Sequence, residues 1–294
     1  MPKPSSPSRH STTSSATPDV DPRWLLKAAG AAIAFALACA LALFWTTFYY
    51  TQWQYVLSPS RSILTDPAAV GLAFNEVHFG VDATGQPQLD GWWMPADAPS
   101  SPTVLLLHDG KGSMSDALPQ ARILHNANLN VLLFDYRGFG HSGYNHPTQA
   151  LMQSDAESAL AFLRDTRHTD LRHILVYGNG LGASVAVNLC AGHNSIPAVI
   201  LDAPLGDTEA QVRRDTRTKL IAVRWLFHEQ FPLAAPLQTL HTPKLILTYE
   251  DSPTLLHRQT IADPKVTVEM NSANDTTAVH DAISRFLDSY VSNR

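Results

Sequence analysis

The apolar positions of this chain follow two different patterns. Residues 28–50 read AAGAAIAFALACALALFWTTFYY, apolar on every face, and no charged residue lies between Lys27 and Arg61. About 20 such residues in a helix cross roughly 30 Å of hydrocarbon, so the pattern predicts a transmembrane helix over 28–50. Trp45, Phe48, Tyr49, Tyr50 and Trp53 supply an interfacial aromatic belt at its far end. A buried core helix would keep a polar stripe, and a cleaved signal peptide would have a shorter leading segment, although ALA at 40–42 has the form of a cleavage site. Beyond Arg61 the apolar residues come in short runs. AFNEVHFGV (73–81) and QLDGWWMP (88–95), separated by the turn DATGQP, predict a β-hairpin. TVLLLH (103–108), NVLLFDY (130–136), HILVY (173–177), AVILD (198–202), KLILTY (244–249) and VTVEM (266–270) are continuous buried-strand runs. Helical spacing separates them at 115–126, 150–166, from Leu181 onward, over about 35 residues at 206–240, and at 277–291. Strands alternating with helices imply a mostly parallel eight-stranded sheet covered on both faces.

Composition narrows the reading further. The first 22 residues are Ser, Thr and Pro with few large apolar side chains, which predicts a disordered tail extending to residue 27. Lys3, Arg9, Arg23 and Lys27 precede the apolar helix and no base closely follows it. That bias places the N-terminus in the cytoplasm and the main domain on the periplasmic or extracytoplasmic side. The expected division is tail 1–27, span 28–50, linker 51–66 and α/β domain 67–294. A net charge of -5 with no basic face excludes nucleic acid as a partner. Cys39 and Cys190 are too few for a disulfide framework, and the 13 histidines show no metal-ligand spacing. No cofactor or metal is expected.

The stretch YGNGLGAS (177–184) follows the HILV run and has the form of a strand breaking through a Gly-rich turn into a helix. Along the chain around it stand QWQYVLSPSR, LDGWWMP, LLLHDGKG and LLFDYRGFGHSG. Together these resemble the α/β-hydrolase fold, and in particular the membrane-anchored bacterial serine aminopeptidase-like hydrolases, over about residues 52–292. The resemblance implies a Ser–His–acid triad at the C-terminal edge of the sheet. Mapped onto this chain, the nucleophile position is Gly180, the acid position Asp251 and the histidine position Asn274. Only Asp251 keeps the family's residue type. The oxyanion region maps to His108, Asp109 and Leu181, with Asp109 where the family pattern has glycine and the Leu181 N–H as a remaining donor.

Loss of a triad serine or histidine lowers kcat on the order of 10⁶-fold in a well-studied serine protease. The resemblance therefore implies an α/β-hydrolase homologue that is not a working hydrolase, with a small-molecule or protein ligand at the former active site. The alternative is an esterase or peptidase with a displaced nucleophile. Ser142, in GHSGY, and Ser184, one helical turn past Gly180, are the hydroxyls to test, and His141 is the base. Their contexts place Ser142 in a turn, Ser184 in a packed helix interior and Cys190 in the core. Trp225, Phe227 and Phe231 lie where this fold carries a lid, and either line a pocket mouth or pack on the sheet edge.

Overall fold

The computed structural model describes residues 22–98, 100–214, 223–250 and 260–291. The chain divides into two compact units, Met1–Phe48 and Tyr49–Arg294. The leading helix α1 runs Pro22–Thr51, longer at its start than the sequence pattern predicts. Proline is at home in a first helical turn, where its missing N–H goes unused. Ile33, Phe35, Leu37 and Leu43 on this helix are exposed. It is long and apolar enough to cross a membrane.

The second unit is an eight-stranded sheet. Its strands are β1 (Asn75–Val81), β2 (Pro87–Met94), β3 (Thr103–Leu107), β4 (Asn130–Phe134), β5 (Ile174–Asn179), β6 (Val199–Asp202), β7 (Lys244–Tyr249) and β8 (Lys265–Met270). They lie in the order β8-β7-β6-β5-β3-β4-β2-β1. β2 is antiparallel to both β1 and β4, and the remaining pairs are parallel. The helices are α2 (Leu118–Asn126), α3 (Gln149–Ala161), α4 (Gly182–Gly192) and α5 (Thr276–Tyr290).

Strand alternation divides the core into two layers. On β3, Leu105 and Leu107 join Met152, Leu160, Ala183 and Val187 of α3 and α4. Val104 and Leu106 join Leu118, Leu124, Ile283 and Phe286 of α2 and α5. All five β3 side chains are buried, because both faces of the sheet are covered. Each fully buried aliphatic side chain of this kind stabilises the fold by roughly 1.5–3 kcal/mol.

The stretch at 206–240 differs from its predicted helical character. Its described residues hold only one-turn helices, Glu209–Val212, Val223–Leu226 and Ala234–Leu237. Pro232 and Pro236 lack the N–H a longer helix needs. Phe227 and Phe231 are buried there, whereas Trp225 is 84% exposed. The segment after the apolar helix is folded against the domain. Leu57 is buried, and Ser58 and Pro59 pair with Lys111 and Gly112.

Candidate functional site

β5 lies at the centre of the sheet and ends in the turn that holds Gly180. The Gly180 N–H donates to the Asp202 carbonyl at 3.0 Å, and its own carbonyl accepts from Leu205 N at 2.9 Å. Gly180 has φ +56°, in the left-handed region that glycine adopts without cost. Gly182 opens α4 so close to β3 that a Cβ there would collide with the Leu107 carbonyl. A Cβ on Gly178 would stand 2.5 Å from the Gly182 carbonyl. The glycines of the NGLG turn therefore let strand, turn and helix pack at backbone distance.

The loop after β3 carries the feature that defines this site. Asp109 Oδ1 accepts from the Gly110 N–H and from the Leu181 N–H, both at 2.8 Å. An oxyanion hole on this fold is built from the N–H after the nucleophile and an N–H of the β3–helix loop. Both kinds of donor are present, and the chain's own carboxylate oxygen sits between them. The Leu181 N–H, expected as a free donor, is thus occupied. A Cβ on Gly180 would run into the Asp109 carboxylate, so the acid at 109 and the glycine at 180 fit one another. The QWQYVLSPSR segment braces this loop from behind. Ser58 N donates to the Gly110 carbonyl at 2.9 Å, and a Cβ on Gly110 would meet Leu57 at 2.5 Å and Leu181 at 2.7 Å.

The other mapped positions fall as follows. Asn274 lies in an exposed turn, its N–H on Ser272 Oγ at 3.1 Å and its carbonyl accepting from Thr276 N at 2.9 Å. Among the described residues its side chain makes no hydrogen bond. Asp251 lies outside the described residues. Ser142 is buried, donates to the Asp135 carbonyl at 2.6 Å and accepts from Asp90 N at 2.9 Å. Ser184 is buried and donates to the Pro232 carbonyl at 2.9 Å. Cys190 is buried in the core, and burial holds its thiol well above the usual range. His141 sits in an exposed loop.

Three buried acids escaped the sequence reading. Asp202, at the end of β6, accepts from Tyr177 OH and Tyr249 OH, both at 2.6 Å, and from Asn179 Nδ2 at 3.0 Å. Burial, then the Asp202 charge, holds both phenols above their usual range. Asp155, on α3, is fully buried and binds Arg137. Asp135 ends β4 and accepts from Met114 N at 2.7 Å. Its signals were local but ambiguous, since an acid after an apolar run reads equally as a loop residue.

Asp135 faces His108 across the sheet edge, with Oδ1 3.6 Å from Nε2. His108 Nδ1 bonds the Asp109 carbonyl at 2.7 Å, which fixes the proton on Nδ1 and leaves Nε2 as a bare lone pair. Among the described residues neither Nε2 nor Asp135 Oδ2 has a hydrogen-bond partner. Burial pushes Asp135 up to about 7 and His108 down to about 4, so both are neutral between those values. Folded Asp135 keeps its proton to about pH 7, while the unfolded side chain loses it near 3.8. Its stabilising contribution is therefore complete below about pH 4 and is lost as pH rises through 7. Asp135→Asn cannot ionise, so its stability relative to wild type should rise by on the order of 4 kcal/mol from pH 4 to 7. Urea midpoints of the two proteins at pH 4.5 and 7.5 measure this, and a flat difference would mean that Asp135 is ionised throughout.

Comparison with known proteins gives a consistent picture. A family model described as serine aminopeptidase, S33, matches residues 98–288. An uncharacterized protein of Mycobacterium tuberculosis is 29% identical over 201 residues, 66% of this chain and 70% of that protein. Protein bem46 of Schizosaccharomyces pombe is 36% identical over 118 residues, 39% of either chain. Among solved structures, an esterase of Pyrococcus furiosus superposes with a TM-score of 0.63 at 19% identity, covering 80% of this chain and 98% of the esterase. At that identity the likeness shows the fold alone.

Proposed function

Since the chain belongs to the serine aminopeptidase S33 family of α/β-hydrolases, we propose that it is a membrane-anchored member that keeps the scaffold without acyl-transfer chemistry and acts as a binding or regulatory module. The observation that carries this reading is the Asp109 carboxylate on the Gly110 and Leu181 N–H groups. Hydrolysis develops negative charge at that point, and the donors there must be free to receive it. Here they already hold an anion, through bonds stronger than those to a neutral carbonyl. The tip of the turn carries no nucleophile, and the amide of Asn274 cannot take up a proton. Ser142 and Ser184, the candidates for a displaced nucleophile, are buried and spend their hydroxyls on backbone carbonyls.

The apolar helix anchors the protein, with its N-terminus in the cytoplasm as Lys3, Arg9, Arg23 and Lys27 direct and the domain on the other side. A small molecule or protein segment bound at the former active site is its ligand. Non-catalytic use of this fold is a fold-level analogy, because function resides in the site rather than the scaffold. The test is direct. Full-length protein in detergent micelles is challenged with a fluorophosphonate probe and a short-chain p-nitrophenyl ester. No covalent labelling and no turnover above background are expected. Labelling that disappears in Ser142→Ala or Ser184→Ala would reverse the reading in favour of an active hydrolase.

A further inference from the structure

We propose that the open edge of β8 is where two copies of this chain join, antiparallel and with their twofold axis at Thr267. Among the described residues β8 ends the sheet and pairs only with β7. Lys244 N donates to the Pro264 carbonyl at 3.2 Å and Glu250 N to the Met270 carbonyl at 3.1 Å. The even-numbered residues of β8 therefore aim their backbone groups at β7. Alternation turns the N–H and C=O of Lys265, Thr267 and Glu269 outward. These three residues are exposed, whereas Val266 and Val268 are half-buried.

In an antiparallel pair an outward-facing residue must meet another outward-facing one. With the axis at Thr267, Lys265 of each copy meets Glu269 of the other, so the opposite-charge pair forms twice. Thr267 meets itself and Val266 meets Val268. An axis at Lys265 or Glu269 would instead set like charges face to face, which is unfavourable across strands. Glu269 has no ion-pair partner among the described residues. Lys265 Nζ donates to the Ile261 carbonyl at 2.7 Å and lies 3.4 Å from the exposed Asp263, which leaves one of its three protons for a second copy.

The packing beside the strand fits the same partner. A groove of about 550 Å³ runs between β8 and α5, with Val266, Val268, Met270, Ala282, Phe286 and Tyr290 along its walls. The Val266–Val268 pairs of the two copies extend those apolar walls across the axis. An interface of this kind uses the same patch on both copies, so it closes at two and covers the β8 edge of each.

The test uses full-length protein in detergent micelles. Cys39 is exposed and Cys190 buried, so Thr267→Cys is placed in a Cys39→Ser background. A short bismaleimide should then link two copies through residue 267. Lys265→Glu and Glu269→Lys, each added singly, should lower the linked fraction about fivefold or more, because each turns two attractive pairs repulsive. The Lys265→Glu/Glu269→Lys exchange should restore it, which separates lost pairing from lost folding. No linkage at residue 267, a yield indifferent to the single reversals, or an exchange that fails to restore linkage would each overturn the proposal.

Discussion

Gly180→Ser is expected to destabilise the protein by about 2–5 kcal/mol, the reverse of what restoring a lost nucleophile would suggest. Two effects add. Residue 180 has φ +56°, where a non-glycine residue costs roughly 1–2 kcal/mol. The new Cβ also meets the Asp109 carboxylate, an overpacking that costs about 1–3 kcal/mol. Asp109→Gly removes the second effect alone, so Asp109→Gly/Gly180→Ser should recover it and show a coupling of about 1–3 kcal/mol. Urea unfolding of wild type, both single variants and the pair closes the cycle. Additive single effects would show that the two residues do not constrain each other. The same geometry sets the conditions for reviving chemistry. Gly180→Ser with Asn274→His leaves the oxyanion hole filled, so fluorophosphonate labelling is expected only when Asp109→Gly is added.

The second large effect lies in the loop after β4. Arg137 N donates to Asp155 Oδ2 at 2.8 Å, while its Nε and guanidinium NH2 reach Oδ1, both at 2.6 Å. Asp155 is fully buried, and the Arg137 side chain is 23% exposed. Asp155→Ala strands a guanidinium and a backbone N–H in the interior, and breaking a buried pair from one side costs about 3–5 kcal/mol. Asp155→Asn keeps an oxygen for the Arg137 N–H and should cost less. Arg137→Lys should not substitute, because a single ammonium cannot supply the same fixed fork of donors. Thermal or urea unfolding of the three variants measures this order. An Asp155→Ala protein within 1 kcal/mol of wild type would mean that the pair contributes little.

The long apolar helix, the eight strands and the C-terminal amphipathic helix were legible because each rests on local periodicity. Val104 and Leu106 facing one layer and Leu105 and Leu107 the other follow from the period of two. In the described part of 206–240 the apolar residues mimic the spacing of a longer helix, but Pro232 lacks the N–H that would join the short helices there.

The sequence by itself determined that the strand HILVY breaks through a glycine-rich turn with Gly180 at its tip, and the resemblance alone maps the base position to Asn274. Only the tertiary structure decided what surrounds that turn. Asp109 and Leu181 are 72 residues apart, and their 2.8 Å contact exists because β3 and β5 are neighbours at the centre of the sheet. The same holds for Asp202 with its two tyrosines and for Asp135 against His108. A buried carboxylate is defined by the partners that a folded sheet brings to it, and no local pattern along the chain encodes that proximity.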